Sequence, residues 1–451
     1  MTTKRYVIAG AGFRGFCDAL ELAKIPQAEV TILETAPFFG GVMYSLDVDG
    51  FAVDKGVHVF DSIPKSLAEI VNEIMDGKTS EIEFISASAY NGKVTEGFSL
   101  PDLNSLDDRS LKDRIRHELL TLAKQGPSAI PPRSLHELFA GRFGQTAGRI
   151  YSDIFRKVYG LEASEVEPQA VAQTSLHRLK FLGDEEMLSL KKSDAWLDFV
   201  LAARRKSMGK VDDLVSIYPN DGLAMKGWCD RAAPWLESRG IKLCLRETIK
   251  TVRETPSGLV IETDKRRLEA DHLLWSNDNV GALGASLGID GETADKFRYG
   301  TPMLFIVMMT HATKIRDFTY LQNFDPAGIT YRTAAAGIFS HQIRDGISFI
   351  TSECPCLPSS ERWKNAEAAS KDAWEEVKHL KIVAPDATLV NSKVFRIPIT
   401  FKLAKLEYSA KIQEFNERVA KKTRRVVLRN VVPFFRRDIY LDSLTVRGLV
   451  E

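Results

Sequence analysis

The stretch Arg5-Tyr6-Val7-Ile8-Ala9-Gly10-Ala11-Gly12-Phe13-Arg14-Gly15, answered 19 residues after Gly15 by Glu34, decides how this chain is read. Tyr6 to Ala9 is a short apolar strand. Phe16, Ala19, Leu20 and Ala23 follow at helical spacing, and Val30, Ile32 and Leu33 form a second strand. Strand, glycine turn, helix and strand within about 30 residues make a parallel crossover. In that setting G-x-G-x-x-G is a dinucleotide fingerprint. Gly10 makes the tight turn, Gly12 lets backbone approach a pyrophosphate, and Gly15 lets helix and strand pack closely. Phe13 and Arg14 open the helix, whose free N–H groups favour phosphate. Glu34 is placed to accept from both ribose hydroxyls, and its charge disfavours a 2′-phosphate.

Working outward, the composition is ordinary. The chain has 451 residues, 44% hydrophobic and 27% charged, so wholesale disorder is excluded. Lys+Arg 61 against Asp+Glu 60 leaves a net charge of +1, without the basic excess of a nucleic-acid binder. Five cysteines are too few for a disulfide scaffold. Cys354-Pro355-Cys356 lacks a second pair or a histidine cluster, so no metal site is expected. The longest strongly apolar run, Met303 to Met309, is far short of the roughly 20 residues of a spanning helix. The N-terminal apolar stretch is too short for a signal-peptide core, and the expectation is a reduced, cytoplasmic protein.

Further elements follow from pattern. Short strands are expected at Val42 to Ser45 and Phe51 to Asp54, and helices at Leu111 to Lys124, Leu135 to Phe143 and Gly148 to Tyr159. The basic end of this helical region (Lys191, Lys192, Arg204, Arg205, Lys206, Lys210) reads as a solvated face rather than a polyanion site. A helix is expected over Leu223 to Arg239, ended by Gly240, then strands at Ile241 to Arg253, Gly258 to Thr263 and His272 to Ser276. Strands at Met303 to Met309 and Ile347 to Thr351 and helices at Ala366 to Leu380 and Ile412 to Thr423 complete the reading. Gly281, Gly284 and Gly288 read as a helix packing face.

Gly10-x-Gly12-x-x-Gly15-x-x-x-Ala19, followed by Glu34-Thr35-Ala36-Pro37-Phe38-Phe39-Gly40-Gly41, resembles the extended FAD fingerprint of the glutathione-reductase-like flavoproteins. Within them it is most similar to the branch of amine oxidases, protoporphyrinogen oxidases and UDP-galactopyranose mutases. Phe51-Ala52-Val53-Asp54-Lys55-Gly56-Val57-His58-Val59-Phe60 resembles that branch's F-x-x-D-x-G-x-H-x-F segment beside the isoalloxazine. Tyr218 to Leu223 with the following helix, Thr248-Ile249, and Ala270 to Ser276 resemble the return to the cofactor domain. Tyr159-Gly160-Leu161 to Pro168 resembles the helical substrate-domain segment of the mutase and protoporphyrinogen-oxidase types. The resemblance implies FAD, held by Gly10, Gly12, Phe13, Arg14, Gly15, Glu34, Thr35, Gly40, Gly41, Val42, Gly56, Val57, His58, Thr248, Ile249 and Ser276. Val42 stands where many members carry Arg. The usual C-terminal glycine is missing; Arg437 and Asp438 are the candidates for a similar role, and either the terminus is abbreviated or the FAD site is closed differently.

The fold class is then α/β, with a Rossmann-like FAD-binding domain interleaved with an α+β substrate domain. The expected segments are 1–80, 207–290 and 420–451 for the former, and 81–206 and 291–419 for the latter. The leading activity is an FAD-dependent oxidoreductase that takes a hydride from a small molecule, in secondary or cell-surface metabolism. A flavin-dependent nucleotide-sugar mutase and a non-catalytic flavoprotein scaffold are the alternatives. The Met303 to Met309 strand lacks the lysine that amine oxidases of this branch place near the flavin. Cys354 and Cys356 have the wrong spacing for a flavoenzyme disulfide. His58, beside the ring, is the candidate to shuttle a proton or only to pack there. Arg332 resembles a substrate-facing arginine of the mutase-like members, set against an ordinary surface ion pair. The eight cations among Arg418 to Arg437 read first as a solvated helix face. A funnel for an anionic substrate or contact with an anionic membrane surface stay open. Oligomeric state is unknown.

Overall fold

The computed structural model describes residues 3–126, 130–204, 213–429 and 435–450. Arg205, Lys206, Lys210 and the stretch 430–434 lie outside the described residues. The chain divides into two compact units. One comprises Met1–Ile82, Lys210–Phe297 and Tyr408–Glu451, the other Glu83–Gly209 and Arg298–Glu407.

The first unit is built on a five-stranded parallel sheet. Its order is Lys242–Leu245, Ala28–Glu34, Lys4–Ala9, His272–Trp275 and Val426–Val427. The central strand pairs Tyr6 with Val30 on one side and with His272 on the other. Tyr6, Val7, Ile8 and Ala9 are all buried, as a parallel strand covered on both faces requires. On one face Val7, Ala9, Leu273 and Trp275 join Leu283, Ile412, Phe415 and Val419 in a single core. Elsewhere in the unit the wholly buried Trp228 gathers an aromatic cluster. Its ring centroid lies 6.1 Å from Phe13, 5.2 Å from Phe16, 5.8 Å from Phe39 and 5.4 Å from Phe60. One side chain thus ties the fingerprint helix, Phe13–Leu22, to the loop before Gly40 and to the Phe60–Pro64 strand.

The second unit carries a seven-stranded sheet in the order Asn391–Ile397, Met303–His311, Ile347–Pro355, Arg332–Ala334, Tyr320–Asn323, Ser86–Tyr90 and Lys93–Glu96. Only the Tyr320–Asn323 and Ser86–Tyr90 pair is parallel. The Ala366–His379 helix packs Ala369, Ala373, Trp374 and Val377 against Leu304, Ile306, Met308 and Ile350 of the sheet. A second core joins the helices Arg109–Gln125 and Leu135–Tyr159 through Ile115, Leu119, Phe139, Phe143, Tyr151 and Phe155.

Several expectations need correction. The Tyr408–Lys422 helix belongs to the first unit, so the chain returns there at Tyr408 rather than at 420. Its buried Ile412, Phe415 and Val419 complete that unit's core. Val42 to Ser45 is not a strand. Positive φ at Gly40 and Gly41 bends the chain into a 3₁₀ turn over Gly41–Met43. The expected strand from Ile241 to Arg253 is two strands in different sheets, parted at Arg246, which has φ 54°. The two helices expected from Leu135 to Tyr159 abut at Gly144 (φ 83°, ψ 167°), where an added Cβ would lie 2.4 Å from Glu118. The Ala224–Glu237 helix ends at Ser238, two residues before Gly240, and continues through Pro234. Of the basic residues after Glu186, Arg204 is exposed and pairs with Asp184, whereas Lys191 is largely buried, pairing with Asp198 and donating to Asp198 O and Leu201 O, so it is not part of a solvated face. No helix among the described residues is long and apolar enough to cross a membrane.

Trp228→Ala should cost about 3–5 kcal/mol, because it empties the centre of the aromatic cluster. Urea unfolding followed by far-UV circular dichroism measures this. A loss below about 1 kcal/mol would show that the cluster closes over the gap.

Candidate functional site

The fingerprint turn forms at the C-terminal end of the central strand. Gly10, at φ 111°, donates to Leu33 O at 2.8 Å, and Gly12 precedes the helix. The three glycines differ in what surrounds them. A Cβ on Gly15 would lie 2.0 Å from Gly10 O, so that position must stay bare for helix and strand to touch. A Cβ on Gly12 would meet nothing within 4 Å, so the space above it is open. Gly12 bridges Gly40, Gly40 N donates to Ala11 O at 2.9 Å, and a Cβ on Gly40 would strike Cys229 Sγ. The second glycine pair therefore lies against the first, with the half-buried Gly41 at φ 58° and the exposed Val42 beyond it.

Glu34 occupies the end of its strand as expected, but its carboxylate already has protein partners. Oε2 accepts from Ala11 N at 2.8 Å and Oε1 from Ala36 N at 2.7 Å. Each oxygen keeps a lone pair, so the group holds the turn and still has acceptor capacity. Glu247 N donates to Glu34 O, and the hydroxyls of Thr248 and Thr35 are 3.3 Å apart. Ile249 begins the next strand. Glu34, Thr35, Thr248 and Ile249 thus lie on one rim of the cradle. Ser276 N donates to Ala9 O, and its hydroxyl donates to Asp18 at 2.7 Å. Phe13 is turned into the aromatic cluster.

Sequence reasoning missed a chain of charges tying the fingerprint helix to the C-terminal segment. Arg14, 7% exposed, donates Nη1 to Asp442 at 2.6 Å. Arg429 donates to the same carboxylate oxygen at 2.8 Å and to Asp18 at 2.9 Å. Arg14 Nε and Nη2 are buried without a partner among the described residues. Much of the basic cluster is engaged: Arg425 pairs with Glu254, Arg429 with Asp18 and Asp442, and Arg436 meets His58. Arg437 pairs with its neighbour Asp438 and is 40% exposed. The residue directed inward is therefore Arg436, at the first turn of the Arg436–Ser443 helix. A one-residue step along a helix turns a side chain by about 100°.

Gly56 (φ 123°, buried) and the half-buried Val57 and His58 follow a second polar cluster. Asp54, 4% exposed, accepts from Ser45 Oγ at 2.6 Å, Tyr218 Oη at 2.5 Å and Met225 N at 3.2 Å. Burial pushes its carboxyl up to about 6, against the pull of these donors and of Arg436. Burial likewise pushes the Tyr218 hydroxyl up. Asp54 stands in the quoted F-x-x-D-x-G-x-H segment, yet no sequence signal pairs it with Tyr218, 164 residues away.

Arg332 belongs to the second unit. Its Nε and Nη2 both lie on Glu353 Oε1, at 2.8 and 2.5 Å, across adjacent strands in register. Cys354 is buried, and burial pushes its thiol up, which leaves it unreactive. In the Val280–Leu287 helix, Gly284 is pressed against the backbone of Ile289 and Gly291, but Gly288 is the left-handed C-cap (φ 66°) with nothing within 4 Å of an added Cβ, so the three glycines do not form the expected packing face.

The crossover, its fingerprint and the parallel sheet define a Rossmann-like domain, and residues 8–74 match the NAD(P)-binding Rossmann-like domain. The whole chain has the fold of a group of solved enzymes. It is similar to reduced UDP-galactopyranose mutase (14% identity, TM-score 0.72, covering 100% of this chain and 95% of that one). It is also similar to a protein of Exiguobacterium sp. 255-15 assigned as a protoporphyrinogen oxidase (14%, 0.68, 100% and 99%). Putrescine oxidase bound to putrescine is similar over 99% of this chain and 98% of that one, at 14% identity and TM-score 0.61. No curated protein matches the sequence.

Two predictions follow from this geometry. Gly15→Ala should cost about 1–3 kcal/mol of stability by overpacking, whereas Gly12→Ala should leave the melting temperature within about 2 °C of wild type. Equal losses in thermal melts would contradict the open space above Gly12. Asp54 binds its proton more tightly folded, at about 6, than at its ordinary value of 3.8. The folded state then holds the extra proton between these values. Its stabilising contribution is complete below about pH 4 and is lost as pH rises through about 6. Asp54→Asn should narrow the difference in urea midpoint between about pH 5 and pH 7. An unchanged difference would mean that this carboxyl titrates normally.

Proposed function

We propose that the protein is an FAD-dependent oxidoreductase that takes a hydride from a small molecule. The observation that carries this is the doubled glycine cradle. Gly12 has open space above it and Gly40 is bridged to it, beside a helix N-terminus, while the same helix carries Arg14 with two buried donors lacking partners. These features fit a pyrophosphate, whose charge would complement the amides and the guanidinium. The extra stretch from Gly40 to His58 favours an extended dinucleotide with a second ring system over a nicotinamide dinucleotide, despite the name of the matching domain. Likeness of fold to putrescine oxidase and to the Exiguobacterium protein agrees with redox work on a small molecule.

When bound, FAD supplies the two-electron chemistry, and the protein supplies position and electrostatics. The amides at Phe13 and Arg14 and the Arg14 guanidinium would hold the pyrophosphate. Glu34 would take the ribose hydroxyls with its remaining lone pairs, and the Thr248-Ile249 backbone would contact the adenine. Gly56, Val57 and His58 would serve the ring, and the Asp54–Tyr218–Ser45 cluster fixes the loop that bears them. Arg332, held by Glu353 in the second unit, is the residue proposed to bind an anionic group.

A nucleotide-sugar mutase is the second reading, favoured by the likeness to UDP-galactopyranose mutase. The absorption spectrum of the purified protein tests the shared premise. Flavin bands, present as isolated or after FAD addition, are expected, and their absence in both cases would overturn it. With the dithionite-reduced protein and UDP-hexoses, turnover without net redox would identify a mutase. Substrate-dependent oxygen consumption by the oxidised protein would identify an oxidase.

A further inference from the structure

We infer that Arg436 is a positioning residue that fixes His58 as the neutral imidazole carrying its proton on Nε2. The tautomer rests on protein groups alone. Its use in chemistry rests on the flavoprotein reading above.

A guanidinium has five N–H donors and no acceptor. Arg436 Nη2 lies 2.9 Å from His58 Nδ1, and Arg436 Nη1 donates to Val59 O at 3.1 Å. Nδ1 must therefore present its lone pair, and the proton of the neutral ring sits on Nε2. A doubly protonated ring would set N–H against N–H and bring two cations to the same 2.9 Å. Because one guanidinium binds both the His58 ring and the next residue's carbonyl, the ring is oriented against its own backbone.

Arg436 is itself anchored. It opens the Arg436–Ser443 helix, in which Tyr440 and Ser443 are buried and Asp442 binds Arg14 and Arg429. The ionisable groups around it are Asp54 before the His58 loop, Asp61 of the Phe60–Pro64 strand, Tyr218 of the Leu214–Pro219 strand and Cys229 of the Ala224–Glu237 helix. Burial lowers Arg436 to about 10 against these groups, so it remains a cation at neutral pH.

The chemical consequence is directional. His58 carries its ring proton on Nε2, and its Nδ1 lone pair is taken by Arg436. It is not available as the base that takes a proton from substrate. In the oxidoreductase reading, any such base must be another group.

Protein labelled with ¹⁵N-histidine tests this directly, with His58→Gln identifying the His58 resonances. The wild type should show one neutral Nε2–H tautomer near pH 7, with and without added FAD. Arg436→Met should yield mixed tautomers and protonation as the pH falls, and Arg436→Lys should restore the single tautomer. A wild-type ring protonated on Nδ1 near pH 7 would overturn the assignment. So would an unchanged signature in folded Arg436→Met protein. If Arg436→Met fails to fold, the wild-type spectrum decides alone. Flavin absorbance of the same samples reads the cofactor separately. A yellow protein with the wrong tautomer refutes this inference alone, and a colourless one with the right tautomer refutes only the cofactor reading.

Discussion

The contact between the missing side chain of Gly15 and the carbonyl of Gly10 is the constraint on which the first unit turns. With no Cβ in the way, the helix after the fingerprint starts directly on the strand end. That start sets where Phe13 and Phe16 meet Trp228, and where Arg14 and Asp18 meet the C-terminal segment. A helix lifted by even one methyl group would shift both layers together, because interiors packed near crystal density have no slack to absorb it. The bridge from Gly12 to Gly40 depends on the same closeness.

The charges laid over this scaffold are economical. Arg14, Arg429, Asp18 and Asp442 balance two against two, and buried groups of this kind persist only when paired. Arg436 is different, since it spends its donors on an imidazole and a carbonyl and leaves Nε without a partner. The first network binds the C-terminal segment to the sheet. The second sets the electrostatic character of the His58 loop. They share the short Arg436–Ser443 helix, so the packing that closes the unit also orients His58.

Much of the cradle was legible because its signals are local. G-x-G-x-x-G between a strand and a helix, Glu34 at the next strand end and a second glycine pair are all close in sequence, and each glycine states a steric requirement. The central strands and the helical stretch around Leu135 to Tyr159 followed from periodicity. What stayed hidden depends on distant pairing or on phase. Asp54 with Tyr218 and Arg14 with Asp442 are separated by 164 and 428 residues. The choice of Arg436 over Arg437 depends on where a helix begins, and the split at Arg246 on a turn that β-branched neighbours conceal. The Tyr408–Lys422 helix was assigned to the wrong unit because its apolar face says that it packs, not against what.

The discontinuity of the first unit has a consequence for biosynthesis. Its sheet lacks Val426–Val427 and Asp18 of its Phe13–Leu22 helix lacks Arg429 until more than four hundred residues have left the ribosome. During that time Asp18 waits without its arginine and the edge of His272–Trp275 stays unpaired. An exposed parallel edge beside an apolar face invites aggregation. The first unit therefore cannot be completed until the segment from Tyr408 onward, which follows the whole second unit in the chain, has been made.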